Sequence, residues 1–158
     1  MPPIGWLRPL PGHRLWQRGV THERAARVAD RLRAADMWSG WGIRTLSAAH
    51  PAYNPFSYQL GSVWPHDNVI VATGFRNYGL DAQAAQVARG FFDAAERFSG
   101  LRLPELVAGL ARDGGAFPCP SLGANVPPAW AEGAGVHPVS PPCRPDAAPV
   151  TRPRPLAP

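Results

Sequence analysis

Apolar residues recur at helical spacing in the stretch 22–35, near the start of the chain. They stand at positions i, i+3, i+4 and i+7, which share one face of a helix: Ala25, Val28, Ala29 and Leu32. Thr21 precedes the stretch and is a favoured N-cap residue, and Glu23 in the first turn complements the helix dipole. The pattern predicts an amphipathic helix over 22–35. Residues 1–20, interrupted by proline and glycine, are predicted to be irregular.

Two further helices are predicted at 67–78 and 82–98. The first carries an apolar stripe and ends at Gly79, a residue favoured just beyond a helix C-terminus. Asp81 is positioned to cap the second helix, and Gly100 stops it. Because only a tight turn separates the two stretches, they should pack antiparallel as a helical hairpin.

The stretch 36–65, between the first two predicted helices, has no helical period. It is dense in Gly, Pro, Asn and Ser, with Trp and Tyr between them. A loop of this length in a compact domain is usually functional or disordered. Its aromatic content argues against disorder, since disordered segments are poor in aromatic residues. The composition therefore predicts that a functional site lies in this loop.

Proline sets the C-terminal part of the chain apart. Twelve of the 20 prolines lie after position 116, and the last 22 residues hold eight of them with no aromatic residue. Proline at this density prevents regular helix and sheet. The sequence therefore predicts a folded part over 1–133 and a disordered tail over 134–158.

Charge and composition narrow the range of partners. The net charge is +5, and all 16 basic residues are arginines scattered along the chain, so no nucleic-acid partner is expected. No apolar run approaches the roughly 20 residues that span a bilayer, and no signal peptide is evident, so a cytoplasmic protein without a membrane partner is expected.

The five His and two Cys residues show no metal-ligand spacing. No phosphate loop or dinucleotide fingerprint appears, so no metal or organic cofactor is expected.

The segment "GSVWPHDN" combines residue types that bind sugars. A flat face such as that of Trp64 covers the C–H face of a sugar ring, while short polar side chains such as His66 and Asp67 take its hydroxyls. The start of a helix adds free backbone N–H donors at this point. Tyr58 lies close by in the same loop. The alternative is that Trp64 packs in the core and Asp67 caps the helix, and the residue types leave both interpretations open.

Two other segments offer candidate side chains. "SGWGIRTLS" contains Trp41 and Arg44, and "LPELVAGL", predicted as a short helical turn or loop, contains Glu105 directly after Pro104. A carboxylate on a short rigid loop can act as a general base. The structural alternatives are that Trp41 packs, that Arg44 pairs with a surface carboxylate, and that Glu105 is a first-turn acid favoured by the helix dipole. Residue types alone favour these structural interpretations.

Four motifs, in their order and spacing, resemble the C-terminal part of bacterial amylo-α-1,6-glucosidase (glycogen-debranching-type) proteins of the six-hairpin glycosidase superfamily: "PGHRLW", "SGWGIRTLS", "YNPFSYQLGSVWPHDN" and "LPELVAG". The similarity runs from about Pro11 to Gly133. The resemblance implies an all-α fold, part of an (α/α)6 toroid of helical hairpins. The active site of such a toroid lies at one mouth, where long loops gather.

The same resemblance implies roles for particular residues. The loop 53–68 would line the sugar pocket, and Glu105 would be the catalytic base. The side chains implied to contact substrate are Trp41, Arg44, Tyr58, Trp64, His66 and Asp67.

The activity that the resemblance implies is hydrolysis of α-glucosidic bonds, in glycogen-like or oligosaccharide substrates, with inversion. An inverting mechanism needs two carboxyl groups about 6.5–9.5 Å apart, and Glu105 is the one convincing candidate in the sequence. The chain is therefore expected to be a fragment that is inactive alone, with the general acid supplied by an upstream polypeptide. The alternative is a non-catalytic carbohydrate-binding or structural remnant of such an enzyme.

Overall fold

The structure, a computed structural model, describes residues 10–98, 101–113 and 118–120. These residues form four helices: α1 (Leu10–Trp16), α2 (His22–Arg33), α3 (Pro65–Asn77) and α4 (Asp81–Ala95). No strand forms within the described ranges, where extended segments meet only at single antiparallel bridges. The predicted all-α class is confirmed. The tail predicted to be disordered, 134–158, lies outside the described residues.

Helix α2 forms where the apolar period predicts it. The Oγ1 atom of Thr21, the N-cap residue, accepts a hydrogen bond from the backbone N–H of Arg24 at 3.4 Å. The helix ends at Arg33, two residues before the predicted end. Its buried residues are the four of the predicted apolar face: Ala25, Val28, Ala29 and Leu32.

Helices α3 and α4 form the predicted hairpin, with shifted ends. Helix α3 begins at Pro65, which needs no N–H in a first turn, and Gly79 just beyond its end has a φ of 72°. The prediction that Asp81 caps α4 is wrong, because Leu80 holds the N-cap position and Asp81 is the first helical residue. The two helices pack directly on each other across this turn.

Helix α1 lies within the region predicted to be irregular, and that prediction is wrong for residues 10–16. The helix has only seven residues and includes Pro11 and Gly12, so its sequence carries no helical signature. It is held by packing against α3. A Cβ atom on Gly74 of α3 would lie 2.8 Å from Cβ of Leu15 and from the backbone N of Trp16, so glycine permits the close approach.

The hydrophobic core lies between the four helices and continues beneath the loops. Its largest helical members include Leu15, Leu32, Phe75 and Phe91, all essentially inaccessible to solvent. Val63 and Val107, which belong to two different loops, are buried in the same cluster. The core therefore anchors the loops that carry the candidate site residues.

Candidate active site

Four loop segments pair with one another, and together we call them the loop layer: residues 37–47, 53–64, 104–109 and 118–120. Single antiparallel bridges join them in sequence, Arg44 to Val63, Val63 to Val107, and Val107 to Pro120. The backbone N–H groups of Val63 and Val107 each donate to the other's carbonyl oxygen, at 2.9 and 3.0 Å. These pairings bring segments distant in sequence into contact, without forming a regular sheet.

Glu105 and Tyr58 meet within this layer, 47 residues apart in sequence. The hydroxyl of Tyr58 donates to Oε1 of Glu105 at 2.7 Å. Glu105 is only 4% exposed, whereas Tyr58 is 44% exposed. The hydrogen bond to the Glu105 carboxylate raises the pKa of the Tyr58 phenol, because losing the proton would break the bond and place two negative charges together. A buried carboxylate is thus oriented by a tyrosine that solvent can reach.

Trp64 completes this group of three side chains. Its ring meets the Tyr58 ring edge to face, with centroids 4.6 Å apart. Its indole Nε1–H donates to the backbone oxygen of Tyr58 at 2.8 Å. The structure therefore brings Tyr58, Trp64 and Glu105 together at the surface of the loop layer, as an aromatic pair beside a carboxylate.

His66 and Asp67 lie in the first turn of α3. His66 is exposed, and Asp67 is half-buried with its Oδ1 3.4 Å from Nε2 of His13 in α1. Asp67 does not occupy the N-cap position, which belongs to Trp64. The side chain that the Asp67 carboxylate approaches thus lies in α1 and not in the loop layer. Contact of either residue with substrate stays a prediction.

Arg44 and Trp41 lie deeper than the other predicted site residues. Arg44 is 3% exposed, and its guanidinium donates from Nε to the Gly109 carbonyl at 2.7 Å and from Nη1 to the Ala35 carbonyl at 3.1 Å. The alternative that Arg44 pairs with a surface carboxylate is therefore wrong. Trp41 is 1% exposed, and the guanidinium of Arg112 lies 4.4 Å from its ring centroid. These contacts are structural, and substrate contact by either residue stays a prediction.

Asn68 ends the segment "GSVWPHDN" and holds the candidate site together, although the sequence analysis gave it no role of its own. It is buried in the first turn of α3, where its Oδ1 accepts from the Ile43 N–H at 2.7 Å. Its Nδ2 donates to the carbonyl oxygens of Ile43 at 3.0 Å and Trp64 at 2.9 Å. The side chain joins α3 to the loop layer. An amide in the first turn of a helix that follows a long loop is the signal that could have identified it.

Tyr58, Trp64 and Glu105 supply the polar and aromatic groups of the candidate site. Among the residues that the structure describes, no three His, Cys, Asp or Glu side chains gather as a possible metal site. Within the same residues, no helix has the length and apolar character needed to cross a membrane. The chemistry available at the surface of the loop layer is that of a carboxylate, a phenol and an indole.

The described helices and loops form part of an (α/α)6-type toroid of the kind found in glycoside hydrolases. The model of one family, described as the mannosylglycerate hydrolase MGH1-like glycoside hydrolase domain, matches residues 15–102, more than half of the chain. The chain belongs to this family. A comparison with curated proteins found no match.

Solved structures agree with this assignment. A GH63 mannosylglycerate hydrolase from Thermus thermophilus, in complex with glucose, is 27% identical with a TM-score of 0.55, over 66% of this chain and 26% of its own. The GH63 mannosylglycerate hydrolase structure from that organism in complex with Tris is 22% identical with a TM-score of 0.58, over 79% and 27% of the two chains, and supports the fold alone. An uncharacterised conserved protein of the same organism is 26% identical with a TM-score of 0.50, over 61% and 23%.

The chain therefore spans about a quarter of the length of the solved structures it matches. The resemblance to six-hairpin glycosidases is confirmed, with the GH63 mannosylglycerate hydrolases as the matched type.

Proposed function

We propose that this chain is the C-terminal part of an inverting glycoside hydrolase in which Glu105 is the general base. The observation that carries the proposal is the hydrogen bond from the exposed Tyr58 to the buried Glu105 carboxylate. A general base must be held in one orientation and must lie within reach of a solvent molecule. The burial of Glu105 and its bond to Tyr58 meet the first requirement, and the exposed aromatic surface beside it supports the second.

In this mechanism Glu105 takes a proton from a water molecule that attacks the anomeric carbon. The new bond forms between that carbon and the water oxygen, on the face opposite the glycosidic bond that breaks. A second carboxylic acid donates its proton to the leaving oxygen, so that charge balances and the configuration inverts. We infer that this acid comes from the part of the toroid that has no counterpart in the chain.

The aromatic pair would hold the sugar against Glu105. The Trp64 and Tyr58 rings offer apolar faces for the C–H groups of a sugar, and we infer that His66 and Asp67, at the start of α3, take its hydroxyls. Arg44 and Trp41 would act behind this surface, since both are buried.

The substrate class follows from two sources. The sequence motifs favour an α-glucosidic bond of the glycogen-debranching type, whereas the family and the solved relatives carry the name of mannosylglycerate hydrolase. We infer an α-glycoside of glucose or a closely similar hexose. Parallel assays on α-1,6-linked oligosaccharides and on mannosylglycerate separate the two possibilities.

The test is an assay of the 158-residue chain alone, and then with the remainder of the toroid supplied in trans. The chain alone should hydrolyse nothing, because one carboxylate cannot activate water and protonate the leaving group in one step. In the complex, Glu105→Gln should lower kcat by roughly 10²–10⁴-fold, the usual contribution of a general base. Glu96→Gln, an exposed residue beyond the end of α4, is the matched control and should leave kcat unchanged. Full activity of the Glu105→Gln complex would remove Glu105 from the mechanism.

The second candidate is a non-catalytic carbohydrate-binding part of such an enzyme. It is favoured by one observation: across 10–98, 101–113 and 118–120, Glu105 is the only buried carboxylate. In that case sugar would bind to the chain, and Trp64→Ala would weaken binding, but no complex would hydrolyse it. Calorimetry on the inactive complex distinguishes this outcome from a misassembled enzyme.

A further inference from the structure

Two loops of the site cross at a pair of glycines, and we propose that this crossing is a clamp that positions Glu105 against Tyr58. The clamp consists of Gly61 and Gly109, with Tyr53 and Arg44 as positioning residues that bind the Gly109 carbonyl. The role of Glu105 as a catalytic base rests on the proposed function. The positioning of its side chain by the clamp does not depend on that role.

The carbonyl oxygen of Gly109 accepts two side-chain hydrogen bonds. The Tyr53 hydroxyl donates to it at 2.8 Å, and Nε of Arg44 donates at 2.7 Å. The N–H of the same residue donates to the Pro55 carbonyl at 2.9 Å. Both backbone polar groups of Gly109 are thus bound by residues from two other segments, 44 and 53–55.

The two backbones approach so closely that only glycine fits. A Cβ atom on Gly109 would lie far inside van der Waals contact with the Gly61 carbonyl oxygen, which is backbone and cannot move aside cheaply. Gly61 has a φ of 145°, and a Cβ atom there would lie 2.5 Å from the Tyr53 ring. Its N–H donates to Oγ1 of Thr45 at 3.0 Å. The separation of the two loops is therefore fixed by direct backbone contact.

On both loops, this contact lies only a few residues from the hydrogen bond between Tyr58 and Glu105. Gly61 follows Tyr58 by three residues, and Gly109 follows Glu105 by four. Hydrogen bonds weaken steeply once the distance or angle departs from the ideal. A displacement of the two backbones at Gly61 and Gly109 should therefore alter the hydrogen bond between Tyr58 and Glu105, because only three or four residues separate each glycine from that bond. The buried Arg44 guanidinium adds stiffness, since it also binds the Ala35 carbonyl.

The first test inserts a methyl group at the crossing. Gly109→Ala should force the loops apart and break the bond between Tyr58 and Glu105. The readout is the ionisation of Tyr58, followed by NMR on the full 158-residue chain with labelled tyrosine, whose three signals are assigned with Tyr→Phe variants. In the wild-type chain, the hydrogen bond to Glu105 holds the pKa of Tyr58 above its ordinary value. In Gly109→Ala that pKa should fall back towards about 10.

The matched control is Gly19→Ala. An added Cβ at Gly19 would meet its nearest atom, the Arg14 carbonyl oxygen, at 3.7 Å, which is ordinary contact. This variant should leave the Tyr58 ionisation unchanged. A wild-type Tyr58 that ionises at its ordinary pKa would overturn the proposal at once.

The second test is milder and decides the matter if Gly109→Ala does not fold. Tyr53→Phe removes only the hydroxyl that binds Gly109, and it should lower the pKa of Tyr58 part of the way. Tyr78→Phe is its control, because the Tyr78 hydroxyl donates to the Val20 carbonyl at 2.8 Å, in another part of the molecule. A folded Tyr53→Phe chain in which Tyr58 ionises as in the wild type would overturn the clamp.

Kinetics of the assembled enzyme then separate the two proposals. If both hold, Tyr53→Phe should lower kcat while KM stays the same, by up to the roughly 100-fold that a misplacement of about 1 Å causes. If the complex hydrolyses no glycoside but the Tyr58 ionisation still responds to Tyr53→Phe, the proposed function fails and the clamp stands. A raised KM with kcat unchanged would assign Tyr53 to substrate binding and contradict a positioning role.

Discussion

The helices and the loop layer of this molecule are held together by different kinds of interaction. The helices meet through small and apolar residues, and the α1–α3 contact is made across glycines. The loops, in contrast, contain six of the seven buried polar or charged residues in the described part of the chain: Ser39, Arg44, Thr45, Ser47, Ser62 and Glu105. The seventh, Asn68, joins α3 to those loops.

This difference determines how each region responds to change. Apolar burial is non-directional, so helices accept many combinations of residues with suitable volume. A buried polar group needs a partner at a defined distance and angle, and its loss leaves the partner unsatisfied. The loop layer can therefore fix a carboxylate in one orientation, which apolar packing alone cannot do.

The largest expected effect is the loss of an aromatic ring from the helical core. Phe75→Ala should lower the free energy of unfolding by about 3–5 kcal/mol, because it removes buried apolar surface and leaves a cavity. Phe92→Ala is the matched control: Phe92 is 46% exposed, and its loss should change the free energy by about 0.5 kcal/mol. Urea denaturation followed by circular dichroism measures both. Equal losses of unfolding free energy in Phe75→Ala and Phe92→Ala would contradict the description of the core.

The loop layer should respond to a much smaller deletion. Asn68→Ala removes three hydrogen bonds and leaves the N–H and carbonyl of Ile43 without their partner, at a cost of about 1–3 kcal/mol for a buried group left unsatisfied. Asn77→Ala, which removes one exposed bond to the Trp16 carbonyl, is the control. The same denaturation measurement applies. A loss no greater than that of Asn77→Ala would show that the loop layer tolerates polar deletions as the helices do.

The junction between the two regions should give a pH-dependent effect. Two hydrogen bonds from Arg31 of α2, at 2.8 and 2.6 Å, together with the Ser47 hydroxyl, lower the pKa of the Asp36 carboxyl. The unfolded chain, with an ordinary pKa of about 3.9, takes up the proton first as pH falls. The stabilisation is therefore complete above about pH 4 and is lost as pH falls through the folded pKa.

Asp36→Asn tests this dependence. The variant should be less stable than the wild type at pH 7, and the difference should shrink as pH is lowered below the ordinary pKa of about 3.9, since the folded pKa lies below that value. Asp30→Asn, an exposed change on α2, serves as the control. A difference in unfolding free energy between wild type and Asp36→Asn that stays the same at every pH would contradict a stabilising ion pair at this junction.

The smallest effect is expected from the C-terminal tail. We propose that the folded part ends near residue 133, and deletion of 137–158 should leave the helical circular dichroism signal and the urea midpoint unchanged. Loss of cooperative unfolding on truncation would show that the tail packs against the helices or the loop layer.

Sequence reasoning predicted the helices well where one face carried enough apolar residues. Helix α2 needed only its four apolar positions and the Thr21 cap. Helix α1 could not be predicted, because its seven residues gain their stability from contact with α3 rather than from their own pattern. Asp81 was misassigned as a cap because the chain turns at Tyr78–Leu80 and makes Asp81 the first helical residue.

The candidate site was only partly predictable. Trp64, Tyr58 and Glu105 were named from residue type and motif, and the structure brings them together. Arg44 was named with them, yet its guanidinium binds main-chain carbonyls. Whether an arginine binds a carbonyl or a ligand depends on which segment lies beside it, and no local pattern contains that information.

The sequence by itself determined helices α2, α3 and α4, the hairpin that α3 and α4 form, and the long loop that carries Tyr58 and Trp64, because these follow from residue spacing and composition within short stretches. The tertiary structure alone decided that Tyr58 donates to Glu105, and that Gly61 crosses Gly109. Both pairs join residues almost 50 positions apart. Their contacts depend on how the shared core beneath Val63 and Val107 aligns two loops, which is a property of the packed molecule rather than of either loop.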